Sequence, residues 1–258
     1  MVGSGRLHGA GLGVRNDEVG DIRLHDFASG KLVGLLRGHA DAVNSLAFSP
    51  NGKLLILGSG DRTAILWDVA SRRLIHRLQG HTDAIYATGF TRDGARAVTG
   101  SMDTTLKLWA VDSGKEIKSL TGHKAKVYRL AVTIADAIIA SGSTDGEIRL
   151  WDDTTGQFLR TLANQGAEVG GISFNPDGKR LLACSASNGT HCRVWEAATG
   201  KEIISYAKHD NSVLGAAVSL TGASRRLPGE ISHRSISGTW KLAKRNKRSW
   251  AEAHTCGL

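Results

Sequence analysis

Short apolar runs separated by glycine-containing turns recur through the middle of the chain, and none carries a helical period of useful length. Val43–Ser49 is apolar and ends at Pro50-Asn51-Gly52, a strong hairpin signal. Leu54–Gly58 reads as a second strand closed by a turn at Gly60-Asp61, and Ala64–Trp67 as a third. In Thr104–Trp109 and Glu147–Trp151, apolar and polar residues alternate at the strand period of two. Turns at Ser113-Gly114, Thr155-Gly156 and Thr199-Gly200 lead into a fourth strand, as in Glu116–Leu120. The pattern predicts units of four short antiparallel strands.

The units repeat. Trp67, Trp109 and Trp151 stand 42 residues apart, Trp195 follows after 44, and His25 precedes Trp67 by 42. Gly38-His39, Gly80-His81 and Gly122-His123 share that period, with Asn164-Gln165 in the next slot. The turns Asn51-Gly52, Asp93-Gly94 and Asp177-Gly178 form a third series in the same register. A four-stranded unit cannot bury both faces alone, and radial stacking of such units gives a β-propeller. The expected fold class is all-β, a propeller of four-stranded antiparallel blades with about five blades or an incomplete arc of a larger ring. Residues 1–18 read as a flexible leader, 19–220 as the propeller with four full repeats in 38–206 and partial blades at each end, and 221–258 as a degenerate basic tail. The partial blades comprise two strands at the start, Asp21–His25 and Leu32–Arg37, and at most two at the end.

Gly-His at the opening of each unit, an Asp in the second hairpin turn and Trp67-Asp68 or Trp151-Asp152 closing the third strand resemble the WD-repeat β-propeller family over roughly residues 19–206. The resemblance implies a hydrogen-bonded tetrad of His, a second-strand hydroxyl, the turn Asp and the Trp. The second full repeat matches with His81, Thr99, Asp103 and Trp109, and the third with His123, Ser141, Asp145 and Trp151. The first has His39, Asp61 and Trp67 but Leu57 in place of the hydroxyl; the fourth keeps Trp195, with Gln165, Cys184 and Asn188 at the other positions. An indole N–H is a donor only, a hydroxyl can accept from it while donating to an imidazole, and the other imidazole nitrogen can donate to a carboxylate. Such a chain satisfies each of its polar groups and ties the start of a unit to its second and third strands. His, Ser and Asp together would also suit nucleophilic catalysis. A catalytic set occurs once, however, and this one recurs at the fold period, so its reading is structural.

Composition narrows the function classes. The chain has 258 residues with 32 glycines and 41% apolar content, which suits a folded, turn-rich protein. The Met1–Gly20 segment lacks the pattern of a signal peptide, and no apolar run is long enough to span a membrane. Histidines 42 residues apart fall in different blades and suit no metal site, and Gly9 to Gly13 imitates a dinucleotide fingerprint without its strand and helix. No cofactor is expected. Cys184 and Cys192 flank a predicted turn; small core residues in a reducing, cytoplasmic compartment are the expectation and a bond between them the alternative. The net charge is +9, of which residues 207–258 supply +6, with nine basic and three acidic side chains. The run 241–248, between Trp240 and Trp250, reads as a solvated tail, with nucleic-acid contact as the alternative.

The expected function is a non-catalytic protein-interaction scaffold whose partners are other proteins or peptides. Alternatives are a regulatory part of a larger multidomain protein and nucleic-acid binding through the tail. An open arc would also favour self-association through exposed sheet edges. The resemblance implies contacts on the narrower face of the propeller, at residues flanking the first apolar position after Gly-His and at the residue before the turn Asp. Those positions include Asn44, Tyr86, Met102, Lys126 and Tyr128, a mixture of aromatics, methionine and charge suited to an interaction hot spot. The bland alternative has both tyrosines pointing into the core.

Overall fold

A computed structural model describes residues 12–16, 20–26, 28–133, 135–186, 191–206, 217–218 and 240–241. Every regular element among them is a strand. Among the described residues, no helix is long and apolar enough to cross a membrane.

Four four-stranded antiparallel sheets follow one another along the chain. To number them, the short sheet that precedes them is counted first, as β1 (Leu12–Asn16), β2 (Asp21–Asp26) and β3 (Leu32–Arg37). Blade one is β4 (Val43–Phe48), β5 (Leu54–Ser59), β6 (Ala64–Asp68) and β7 (Leu74–Leu78). Blade two is β8 (Ile85–Phe90), β9 (Arg96–Ser101), β10 (Leu106–Ala110) and β11 (Glu116–Leu120). Blade three is β12 (Val127–Val132), β13 (Ile138–Ser143), β14 (Glu147–Asp152) and β15 (Phe158–Asn164). Blade four is β16 (Val169–Phe174), β17 (Arg180–Ser185), β18 (Cys192–Glu196) and β19 (Glu202–Tyr206). A two-stranded sheet of β20 (Ala217–Val218) and β21 (Trp240–Lys241) comes last. The hairpin turns marked by the third repeat series form as expected: Gly52, Gly94 and Gly178 take φ of 70°, 69° and 72°, a region costly for a residue with a Cβ.

The stretch read as a leader contains β1, so the first sheet has three strands rather than two. Its register identifies it: Asn16 pairs with Ile22 as Gly58 pairs with Ala64, which puts β1 in the second-strand slot. The tail region likewise contains β21, which pairs with β20. The side chains of 242–248 lie outside the described residues.

The core lies between blades. Ile56, Leu66 and Leu78 of blade one pack with Ile85, Phe90 and Trp109 of blade two. Val98, Leu108 and Leu120 of blade two meet Val127, Ile139 and Trp151 of blade three, and Leu150 and Leu162 of blade three meet Val169, Leu181 and Trp195 of blade four. Ile22, Leu24 and Leu36 of the first sheet close the near face of blade one. Each tryptophan therefore faces the preceding blade. Apolar burial of this kind, at ~25 cal/mol per Å², is what forces the units to stack.

Candidate interaction face

The polar staples lie beneath the end of each blade where the Gly-His segment enters. Blade two carries the complete set. His81 Nδ1 is 2.7 Å from Asp103 Oδ2, His81 Nε2 is 2.7 Å from Thr99 Oγ1, and Trp109 Nε1 donates to the same hydroxyl at 2.9 Å. The Asp103 carboxyl lies well below its ordinary value: burial would raise it, and hydrogen bonds from His81 and Thr105 overcome that. An ionised Asp103 only accepts, so His81 donates through Nδ1 and takes the Thr99 proton at Nε2.

Blade three departs from the expected tetrad. His123 Nε2 meets Ser141 Oγ at 2.7 Å and Trp151 Nε1 donates to it at 2.8 Å, as expected. Asp145, however, accepts from Ser143 and does not reach the histidine. His123 Nδ1 makes no hydrogen bond among the described residues and lies 3.4 Å from Glu147 Oε2, itself held by Arg149 Nε at 2.8 Å. The cause is one residue in the turn. Thr63 and Thr105 fix their turn Asp with a hydroxyl at 2.7 Å, and Glu147 in that slot has no hydroxyl to give. Burial, reinforced by Arg149, drives His123 down to about 4.

In blade one, His39 Nδ1 meets Asp61 Oδ2 at 2.8 Å, and Thr63 holds the other carboxylate oxygen. Burial raises the Asp61 carboxyl, but hydrogen bonds from Thr63, Ala40 and His39 bring it to about 2. Leu57 supplies no hydroxyl, and His39 Nε2 and Trp67 Nε1 are buried without hydrogen-bond partners among the described residues. In blade four the register corrects the sequence assignment: Ala183, not Cys184, occupies the hydroxyl slot, because Cys184 pairs with Gly171 as Gly100 pairs with Ala87. Both side-chain polar atoms of Gln165 are buried without hydrogen-bond partners among the described residues. Asn188 lies outside the described residues. Cys184 and Cys192 form a disulfide, so the premise of reduced, separate core cysteines does not hold for this pair.

Above the staples, one backbone hydrogen bond per blade draws the second-strand turn onto the first-strand entry. Gly60 N donates to Ala42 O at 2.9 Å, Met102 N to Ala84 O at 2.9 Å, and Thr144 N to Lys126 O at 3.0 Å. The two sets of positions expected to meet a partner therefore share one edge. Immediately beyond, each first strand slips register by one residue: Val43 pairs with Ser59 but Ser45 with Gly58, and the same shift brackets Tyr86, Tyr128 and Gly170. Asn44, Tyr86 and Tyr128 are thus the extra residues of β-bulges, which re-aim a side chain away from strand alternation. Tyr86 and Tyr128 are half-buried, and their rings meet edge to face at 4.6 Å between centroids. Neither is an ordinary core strand residue. Met102 is half-buried and Lys126 exposed. Asn44 reaches the next blade, donating to Ile85 O at 3.2 Å.

Sequence reasoning passed over Arg129. It sits one residue beyond the bulge, where the other blades have Ser45, Ala87 and Gly171. Its Nε donates to Gly170 O at 2.7 Å and its Nη1 to Tyr128 O at 2.9 Å, bridging blades three and four and fixing the bulge. A cation in a strand otherwise built of small and apolar residues was the available signal.

A 47-residue stretch is 51% identical to the periodic tryptophan protein 2 homolog of Neurospora crassa, covering 18% of this chain and 5% of that protein. The chain therefore spans only a small part of that relative's length. The WD40 family, described as WD domain, G-beta repeat, matches at residues 30–68, 72–110, 114–152 and 156–196, four successive repeats that coincide with the periodic strands and staples. The chain belongs to the WD40 repeat family.

Proposed function

We propose that this chain is a non-catalytic interaction scaffold that grips a partner protein or peptide at the bulged rim formed by Asn44, Tyr86, Met102, Lys126 and Tyr128. WD40 repeats generally serve as protein-interaction platforms. The observation that carries the specific reading is the pair of bulges that lifts Tyr86 and Tyr128 from adjacent blades into an edge-to-face pair. Paired, already oriented aromatics bury much area on binding at little entropic cost, and the neighbouring Met102 and Lys126 add adaptable contact and charge. A non-catalytic role is supported by the staples, since His81 has both ring nitrogens engaged inside its blade.

Selection from a displayed peptide library tests the reading. The wild-type chain should enrich a related set of sequences, and the double variant Tyr86→Ala with Tyr128→Ala should lose at least tenfold in affinity for them (about 1.4 kcal/mol) while unfolding at a similar urea concentration. Equal binding by a folded double variant would remove the rim from consideration.

A further inference from the structure

Charge is spread unevenly around the rim, and one cation there lacks a counter-ion. Lys124, Lys126 and Arg129 of blade three stand in the register positions that Thr82, Ala84 and Ala87 fill in blade two. Blades one and two instead present Asp41 and Asp83, each accepting from the backbone N–H that follows it, at 2.6 Å and 2.7 Å. The Arg129 guanidinium lies between the bulges of blades three and four, donating to Gly170 O and Tyr128 O. Those bonds use two of its five N–H donors, which leaves three. Among the described residues, none of the three has an acceptor and no carboxylate pairs with the guanidinium. Burial pulls Arg129 below its ordinary value, and Glu168 on the entry to blade four opposes that only through space. A half-buried cation held by carbonyl dipoles alone is one that an incoming anion stabilises.

We infer, resting on the rim reading above, that the partner is an acidic peptide whose Asp or Glu carboxylate seats on Arg129 beside the Tyr86–Tyr128 pair. A carboxylate is flat and offers two acceptor oxygens, which suit the free end of a guanidinium. One of the two carbonyls that hold Arg129 belongs to Tyr128 itself, so the cation and the aromatic pair are neighbours on one strand. An apolar side chain close to the acid then covers the tyrosines while the carboxylate meets Arg129. Lys124 and Lys126, both exposed, attract the same charge at longer range, which speeds encounter more than it adds affinity. Asp41 and Asp83 repel an acidic end from blades one and two and so set the direction of the peptide. Glu168 selects among anions, because it repels a doubly charged phosphate more than a singly charged carboxylate.

Peptides that the wild-type chain selects from a displayed random library supply the probes. They should carry Asp or Glu within a few residues of an aromatic or aliphatic side chain. Changing that acid to its amide should weaken binding to the wild-type chain about tenfold or more, the size of a charge-assisted hydrogen bond. The same change should cost less than about threefold against Arg129→Gln, where the cation is gone. The first comparison leaves the protein untouched, so it stands even where Arg129→Gln unfolds more readily. Phosphoserine at the acid position should bind less tightly than Asp. Enriched peptides without an acid, or an amide change without effect, would overturn the inference yet leave the rim standing wherever binding still needs Tyr86 and Tyr128. Tighter binding by phosphoserine would overturn the carboxylate assignment. Failure to enrich any peptide, or binding indifferent to Tyr86→Ala with Tyr128→Ala, would overturn both readings.

Discussion

Replacing Thr99 by valine keeps the shape of the side chain and deletes one oxygen. That oxygen accepts from Trp109 Nε1 at 2.9 Å and donates to His81 Nε2 at 2.7 Å, at a site with no solvent exposure. Neither nitrogen has water to turn to. A buried polar group deprived of its partner costs ~1–3 kcal/mol, and two are stranded, so the gross penalty is about 2–6 kcal/mol. The methyl gained returns ~0.8 kcal/mol by burial, which leaves a net loss of roughly 1–5 kcal/mol. Blade one supplies the control. Among the described residues His39 Nε2 and Trp67 Nε1 already lack partners beside Leu57, so Leu57→Val removes only a methylene from the core, at ~1 kcal/mol. Urea unfolding followed by circular dichroism and by tryptophan fluorescence compares the two. A loss for Thr99→Val no larger than that for Leu57→Val would refute the assignment of Thr99 as the linking hydroxyl.

Three further outcomes follow from the same geometry. His81→Ala should cost more stability than Gln165→Ala in parallel urea titrations, because His81 joins Asp103 to Thr99 whereas the Gln165 side chain makes no hydrogen bond among the described residues. His123 titrates near 4 in the fold against an ordinary value of 6.5, so the unfolded chain holds more protons between those values. Stability contributed by its neutral form is complete above 6.5 and is lost as the pH falls toward 4; His123→Gln should flatten the change in urea midpoint between pH 7.5 and 5, and an unchanged slope would contradict the burial argument. Gly142→Ala should destabilise by ~1–3 kcal/mol, since its Cβ would lie 2.5 Å from Val169, and a neutral effect in thermal unfolding would show that the blades do not interlock there.

The period was legible because bulky, chemically unusual residues, Trp109 and His81 among them, recur at fixed intervals and strand alternation fills the space between. The complete tetrad of blade two was legible for the same reason. Blade three was misread because the motif names only the turn Asp, whereas the geometry also depends on the residue two further on. Thr105 holds Asp103 toward the histidine, and Glu147 does not do so for Asp145. In blade four, the two extra residues fall in the turn after Cys184. Positions before that turn keep the spacing from blade two and positions after it shift by two, which hid Ala183 in the hydroxyl slot and Cys192 directly opposite Cys184. β1 was passed over because LGVRN carries neither marker residue, and only its pairing with β2 makes it a strand. The bulges at Tyr86 and Tyr128 are a property of pairing between strands, so no pattern within one strand reports them.

Amide hydrogen exchange of the chain with and without a library-selected peptide tests the interaction face most directly. Binding at the rim predicts slowed exchange in Ile85–Phe90 and Val127–Val132 and in the turn after Ser101, with the outer strands Leu74–Leu78 and Glu116–Leu120 unchanged. Protection confined to the outer strands, with none around Tyr86 and Tyr128, would contradict it.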